Sequence, residues 1–133
     1  KMSKRWGNVI NPDDIVKTYG ADTLRLYEMF IGPFDSSLPW QTDSIIGPRR
    51  FIERVWKFSA QVKESGATKT DQNSERVLHQ TIKKVTEDIA KFKYNTAIAG
   101  LMEFMNVWEG KGRKKEEMEN LLSKEDAESL LRR

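Results

Sequence analysis

LHQTIKKVTEDIAKF, residues 78–92, decides the fold. Leu78, Ile82, Val85, Ile89 and Phe92 recur there at steps of four, three, four and three. That spacing lays one continuous apolar stripe along an α-helix. The same signal extends outward in both directions. Downstream, Asn95-Thr96 opens a further helix with Ala97, Ile98, Leu101, Met102, Met105 and Trp108 on its inner face, ended by Gly110 and Gly112. Beyond the charged link 113–117, Met118, Leu121, Leu122, Leu130 and Leu131 mark a last apolar segment, which Ser123-Lys124-Glu125-Asp126 splits as an internal N-cap. Upstream, the polar stretch to Asn73 reads as a loop. Before it, a long helix from about Asp43 carries Ile45, Ile46, Phe51, Ile52, Val55, Trp56, Phe58 and Val62, and Ser65-Gly66-Ala67-Thr68 breaks it.

The first third is more punctuated. Residues 1–11 read as a basic loop. Asn11-Pro12-Asp13-Asp14 then starts a short helix: Asn at the N-cap, Pro at the first helical position, and two acids at the positive end of the dipole. Tyr19-Gly20 stops that helix, Asp22 reads as the N-cap of the next, and Gly32-Pro33 ends it. Residues 33–44 form a connection with Phe34, Leu38 and Trp40 as buried anchors. No segment alternates apolar and polar residues over more than a few positions. The fold class is therefore all-α: a loop and two short helices, residues 1–42, followed by an antiparallel helical bundle, residues 43–133. The sequence opens on Lys1 rather than Met, and its last apolar segment carries no terminal cap. The chain is accordingly expected to be a piece of a longer protein, with its bundle incomplete.

The composition narrows the function classes. The chain has 133 residues and no cysteine, which excludes a disulfide scaffold, a cysteine nucleophile and thiolate metal sites. Its apolar runs are short and interrupted by charge, which excludes a membrane-spanning helix. The net charge of +3 lies wholly in residues 1–70, with 11 Lys and Arg against 8 Asp and Glu, while residues 71–133 balance at 12 and 12. So small an excess does not make an autonomous tight nucleic-acid binder.

The chemistry concentrates at the start. Lys1-Met2-Ser3-Lys4 sets two ammonium groups on a short polar loop, where they can meet a polyphosphate. The continuation Gly7-Asn8-Val9-Ile10-Asn11-Pro12-Asp13-Asp14, then Gly20-Ala21-Asp22-Thr23-Leu24-Arg25-Leu26-Tyr27-Glu28-Met29-Phe30, Gly32-Pro33, Pro39-Trp40 and Arg50-Phe51 before Arg54-Val55-Trp56, gives that start a context. In this order the residues resemble the KMSKS signature and downstream segment of the class I aminoacyl-tRNA synthetases, and among them the leucyl-tRNA synthetases. Tyr94-Asn95-Thr96-Ala97-Ile98-Ala99 and Leu122-Ser123-Lys124-Glu125-Asp126-Ala127-Glu128 resemble helices of that family's anticodon-binding domain.

The resemblance implies a parent that activates leucine with ATP and magnesium and transfers it to leucine-accepting tRNA, as a monomeric cytoplasmic enzyme with no membrane partner. It implies that the loop of Lys1, Met2, Ser3 and Lys4 closes over ATP, and that Lys4 stabilises the charge developing as pyrophosphate leaves. Two positions depart from the family pattern. Arg5 stands where Ser is usual and offers an alternative cation, while Trp6 replaces a common Lys and removes one. The family's nucleotide-binding fold, HIGH motif and editing domain are absent from these residues, so the chain alone is expected to be inactive and to bind no cofactor by itself.

For tRNA contact, Arg49, Arg50, Arg54 and Lys57 cluster on the first long helix, and Arg50, Arg54 and Lys57 share one face beside its apolar stripe. Lys83, Lys84, Lys91 and Lys93 form a second set. Both would meet backbone phosphate rather than read bases. Trp40, Trp56 and Trp108 are available to stack on bases, although their helical spacing reads as core packing. His79 has no second ligand at metal spacing, and no metal site is expected. Two other readings fit the residues: a valyl-, isoleucyl- or methionyl-tRNA synthetase, or a non-enzymatic helical interaction module.

Overall fold

A computed structural model describes residues 2–65 and 72–109. Among these residues there are five α-helices, two 3-10 turns and no strand. The helices are α1 (Pro12–Tyr19), α2 (Ala21–Phe30), α3 (Ile46–Ser65), α4 (Gln72–Ala90) and α5 (Tyr94–Trp108). Lys1, the loop centred on Gly66, the Gly110 and Gly112 stop and the last apolar segment from Met118 lie outside the described residues.

The start of α1 follows its local chemistry. Asn11 Oδ1 accepts from the Asp13 amide at 3.2 Å, Pro12 takes the first turn, and Asp13 and Asp14 face the exposed amides. Gly20 closes the helix, donating its amide to the Val16 carbonyl at 2.9 Å. The Asp22 cap does not form. Helix α2 begins two residues earlier than that cap implies, at Ala21, with Gly20 as its N-cap and no side-chain cap bond. The reason is that Gly20, at φ 90°, serves both helices: its amide ends α1 while its carbonyl accepts from the Leu24 amide at 3.2 Å. Asp22 is left in the first turn, where it still meets the helix dipole.

Two apolar clusters hold the fold. The first joins Ile15, Leu24, Tyr27 and Ile45, with Trp40 packed edge-on to Tyr27 at 5.0 Å. Tyr27 is the pivot: its hydroxyl donates to the Gln41 carbonyl at 3.0 Å and accepts from the Gln41 amide at 3.1 Å. Because Tyr27, Trp40 and Ile45 fill this slot, two of the three expected anchors stay out of it. Trp40 is half-buried, but Phe34 is 64% and Leu38 43% exposed.

The second cluster joins Val62 of α3, Leu78 of α4, and Phe104 and Trp108 of α5. Phe104 and Phe58 flank the Trp108 indole at 5.1 and 6.2 Å. Leu78 meets the end of α5, the Lys84 stem crosses Gly100, and Asp88 reaches Thr96, so α4 and α5 run antiparallel. The expected inner face of α5 is present in Ala97, Ile98, Met105 and Trp108, and Gly100 and Phe104 complete it.

Four apolar residues fall off the expected stripes, among them Ile46, which is 42% exposed. Trp56 on α3 is 73% exposed, so its helical spacing does not place it in the core, whereas Trp108 is buried. Helix α4 ends at Ala90, before the stripe does: Ile89 in its last turn and Phe92 beyond it are both exposed. The cause is a tight stop. The Lys93 amide donates to the Asp88 carbonyl at 2.8 Å and the Phe92 amide to Ile89 at 3.1 Å, which is the paired bonding of a Schellman termination. Phe92 occupies its left-handed position at φ 57°, where glycine is the usual residue. The Asp88 carboxylate braces the turn by accepting from Thr96 Oγ1 and Lys84 Nζ, both at 2.8 Å. The Lys84 and Thr96 hydrogen bonds hold its pKa below the ordinary aspartate value of 3.8. Asn95-Thr96 thus sits inside α5 rather than at its cap, because Thr96 is recruited to this brace.

Candidate functional site

The N-terminal loop is a small closed turn. Ser3 caps the 3-10 turn Lys4–Trp6, its Oγ accepting from the Arg5 amide at 3.2 Å, and its own amide donates to Asn8 Oδ1 at 2.8 Å. Gly7, at φ 62°, returns its amide to the Lys4 carbonyl. Met2 lines a cleft of about 320 Å³ with Ile31, Leu38 and Trp40 at the end of α2. The turn leaves Lys4 and Arg5 exposed, and neither makes an ion pair with another described residue. Arg5 stands 5.9 Å from the centre of the Trp6 ring, a cation–π contact that ties the two unusual residues of this loop together. Two free cations on a hydrogen-bonded turn suit a phosphate ligand.

The four cations of α3 divide. Arg49 is spent inside the fold: Nε pairs with Glu53 Oε1 and Nη1 donates to the Tyr19 carbonyl, both at 2.7 Å, so it latches α3 to the end of α1. The hydrogen bond from Arg49 also lowers the Glu53 pKa, with Lys57 and Arg50 adding to the effect. Arg54 is spent as well. Its guanidinium grips Glu109 through bonds of 2.9 and 2.8 Å and donates to Asn106 Oδ1 at 2.8 Å. Arg50 and Lys57 remain exposed, with no ion pair among the described residues, one turn and more apart on the same side of the helix. Trp56, next in sequence to Lys57, stands in solvent about a quarter-turn around the helix from it.

The grip of Arg54 yields a quantitative expectation. Both partners are 27% exposed and the fork is bidentate, so Arg54→Ala should cost about 2 kcal/mol in a thermal or urea melt. A melt unchanged by that substitution would mean the pair is an ordinary solvated contact.

In the second basic set, Lys84 pairs with Asp88 at 2.8 Å and Lys83 with Glu87 at 3.9 Å. Lys91 and Lys93 instead line a cavity of about 650 Å³ with Phe34, Phe92 and Asn95. This grouping is not visible in the sequence, where Phe34 reads as a core anchor and Phe92 as part of a helical stripe. His79 is exposed, and among the described residues no group of three His, Asp or Glu side chains could hold a metal ion. No described helix is long and apolar enough to cross a membrane.

Comparison with known proteins agrees with this geometry. Residues 1–38 match the family model of tRNA synthetases class I (I, L, M and V), and residues 71–130 match that of the anticodon-binding domain of tRNA ligase. Among solved structures, the chain superposes on the agnB2 LeuRS of Agrobacterium radiobacter K84, determined as a ternary complex with tRNA and LeuAMS. The TM-score is 0.81 at 27% identity, over 99% of this chain and 18% of the other. With a synthetase match first, an anticodon-binding match after it and the fold of a LeuRS over nearly every residue, the chain is similar to the class I tRNA synthetases of the isoleucine, leucine, methionine and valine group and spans less than a fifth of the LeuRS it matches.

Proposed function

We propose that this chain is the ATP-loop and tRNA-supporting part of a leucine–tRNA ligase. The likeness to LeuRS over 99% of the chain, in a relative solved with tRNA, carries the reading. In the proposed reaction a leucine carboxylate oxygen attacks the α-phosphorus of ATP and pyrophosphate leaves; a tRNA hydroxyl then attacks the leucyl carbonyl of the adenylate, losing its proton as the acyl–phosphate bond breaks and AMP leaves. The chain's contribution to the first step is Lys4. A compact ammonium on a short turn follows the charge that accumulates on the departing phosphates. Met2 and Ser3 hold the turn, and Arg5 supplies a second cation to the same phosphates. Magnesium enters as part of the MgATP substrate. The leucine pocket and the adenosine pocket belong to the remaining length of the ligase, so the chain alone would not aminoacylate tRNA. Cytoplasmic residence and a monomeric ligase fit the same proposal.

For tRNA, Arg50 and Lys57 are the proposed phosphate contacts on α3, with Trp56 next in sequence to Lys57. Arg49 and Arg54 act indirectly: they fix α3 against α1 and α5 and so aim that face. A basic face of this kind gives affinity without base readout, and its signature is dependence on salt. Titrating a tRNA-Leu transcript with the 133-residue chain at several salt concentrations tests the reading. Binding should weaken with salt, and Arg50→Ala and Lys57→Ala should each reduce the salt slope by about 1. Absence of binding to any tRNA would favour a non-enzymatic module, and charging of another tRNA by the full-length enzyme would move the specificity to valine, isoleucine or methionine.

A further inference from the structure

The cavity between the end of α2 and the α4–α5 turn combines features that no phosphate-only surface needs. Two rings, Phe34 and Phe92, line it, and a third, Tyr94, packs against both. Phe34 stacks with Phe92 at 6.3 Å and 27°, and Tyr94 meets both edge-on, at 5.5 Å from Phe34 and 6.1 Å from Phe92. Phe34 and Phe92 are 64% and 62% exposed, so an apolar platform faces solvent where the fold could have buried it. Lys91 and Lys93 flank Phe92 in sequence and line the same cavity, with Asp35, Asn95 and Thr96 supplying polar edges.

The backbone adds a second, independent observation. Phe92 fills the left-handed position of the α4 termination, where an L side chain carries a conformational cost that glycine escapes. A ring kept there, largely exposed and at a cost to the turn, is better explained by what it touches outside the fold than by packing within it.

We propose that this cavity holds one unpaired nucleotide of the bound tRNA, its base against the Phe34–Phe92 platform and its phosphates on Lys91 and Lys93. The inference rests on the tRNA reading above and assigns to it a site remote from the α3 cations in sequence. Stacking needs a free π-face, so the site takes a flipped or loop nucleotide and not a paired one, with little preference for which base. The approximate volume of 650 Å³ is ample for a nucleobase and its sugar.

Phe92→Gly separates this role from a structural one, because the two make opposite demands on the residue. Glycine relieves the left-handed turn, so the melting temperature of the 133-residue chain should hold or rise. Loss of the platform should nevertheless weaken binding of a tRNA-Leu transcript by about fivefold or more, and Phe34→Leu, which keeps the bulk but not the π-face, should weaken it likewise. If affinity survives both substitutions while Arg50→Ala still lowers it, the cavity proposal falls and the tRNA reading stands. If the unsubstituted chain binds no tRNA, that reading falls, and the cavity is judged by titration with a short single-stranded RNA and with a duplex. The Phe34, Phe92 and Tyr94 ring resonances should move with the single strand alone. No movement, or equal movement with the duplex, overturns the proposal. So would protection of the Phe34 and Phe92 rings in the RNA-free full-length enzyme, since another part of the protein would then cover them.

Discussion

If the full-length protein is the proposed ligase, Lys4→Ala in it should slow adenylate formation by about a hundredfold or more while leaving tRNA affinity unchanged. The magnitude is that of removing one preorganised charge from a transition state that develops charge. The selectivity follows from where Lys4 sits. It is exposed on a turn held by Ser3, Asn8 and Gly7, so its loss removes an ammonium group without loosening the loop. Pyrophosphate exchange and tRNA binding, measured on the same variant, separate the two effects. An equal loss in both would end the assignment of Lys4 to the phosphates. Arg5 gives the comparison a second arm, because its guanidinium already contacts Trp6 and its removal should cost less than that of Lys4.

The largest effect on stability should come from Tyr27→Ala, a loss of about 3–5 kcal/mol. Tyr27 is 2% exposed and touches every part of its cluster, including Trp40 edge-on. Its hydroxyl also answers both polar groups of the Gln41 backbone. Truncation would therefore open a cavity and strand a carbonyl and an amide together. Tyr27→Phe isolates the second part and should cost about 1–2 kcal/mol. Chemical denaturation of both variants checks the division: equal losses would show that the ring contributes little beyond its hydroxyl.

The elements that were legible in the sequence are those whose causes are local. Asn11-Pro12-Asp13-Asp14 contains its own cap, first-turn residue and dipole partners, and α1 starts where they say. The stripes of α4 and α5 were legible because period alone turns Leu78 and Trp108 inward. What period cannot supply is a helix's neighbours. Trp56 and Trp108 carry the same spacing signal, yet only Trp108 finds Phe58 and Phe104 around it. The four cations of α3 were equally indistinct, since the sink for Arg54 is Glu109, 55 residues away. Phe92 was illegible for a different reason. The sign of its φ is set by the hydrogen bonds of Phe92 and Lys93 back to α4, and nothing in the residue type announces it.

Gly20 has a mechanical meaning as well as a conformational one. With one residue closing α1 and opening α2, the two helices meet at a corner that contains no slack. The turn proposed to meet phosphate precedes that corner and the helix proposed to face tRNA follows it, so the corner would work as a gauge block between the two proposed sites. One residue inserted after Gly20 would lengthen the corner by up to about 3.5 Å and release the fixed setting of α2 against α1. Each helix could survive such an insertion intact while the span from Lys4 to α3 went out of calibration.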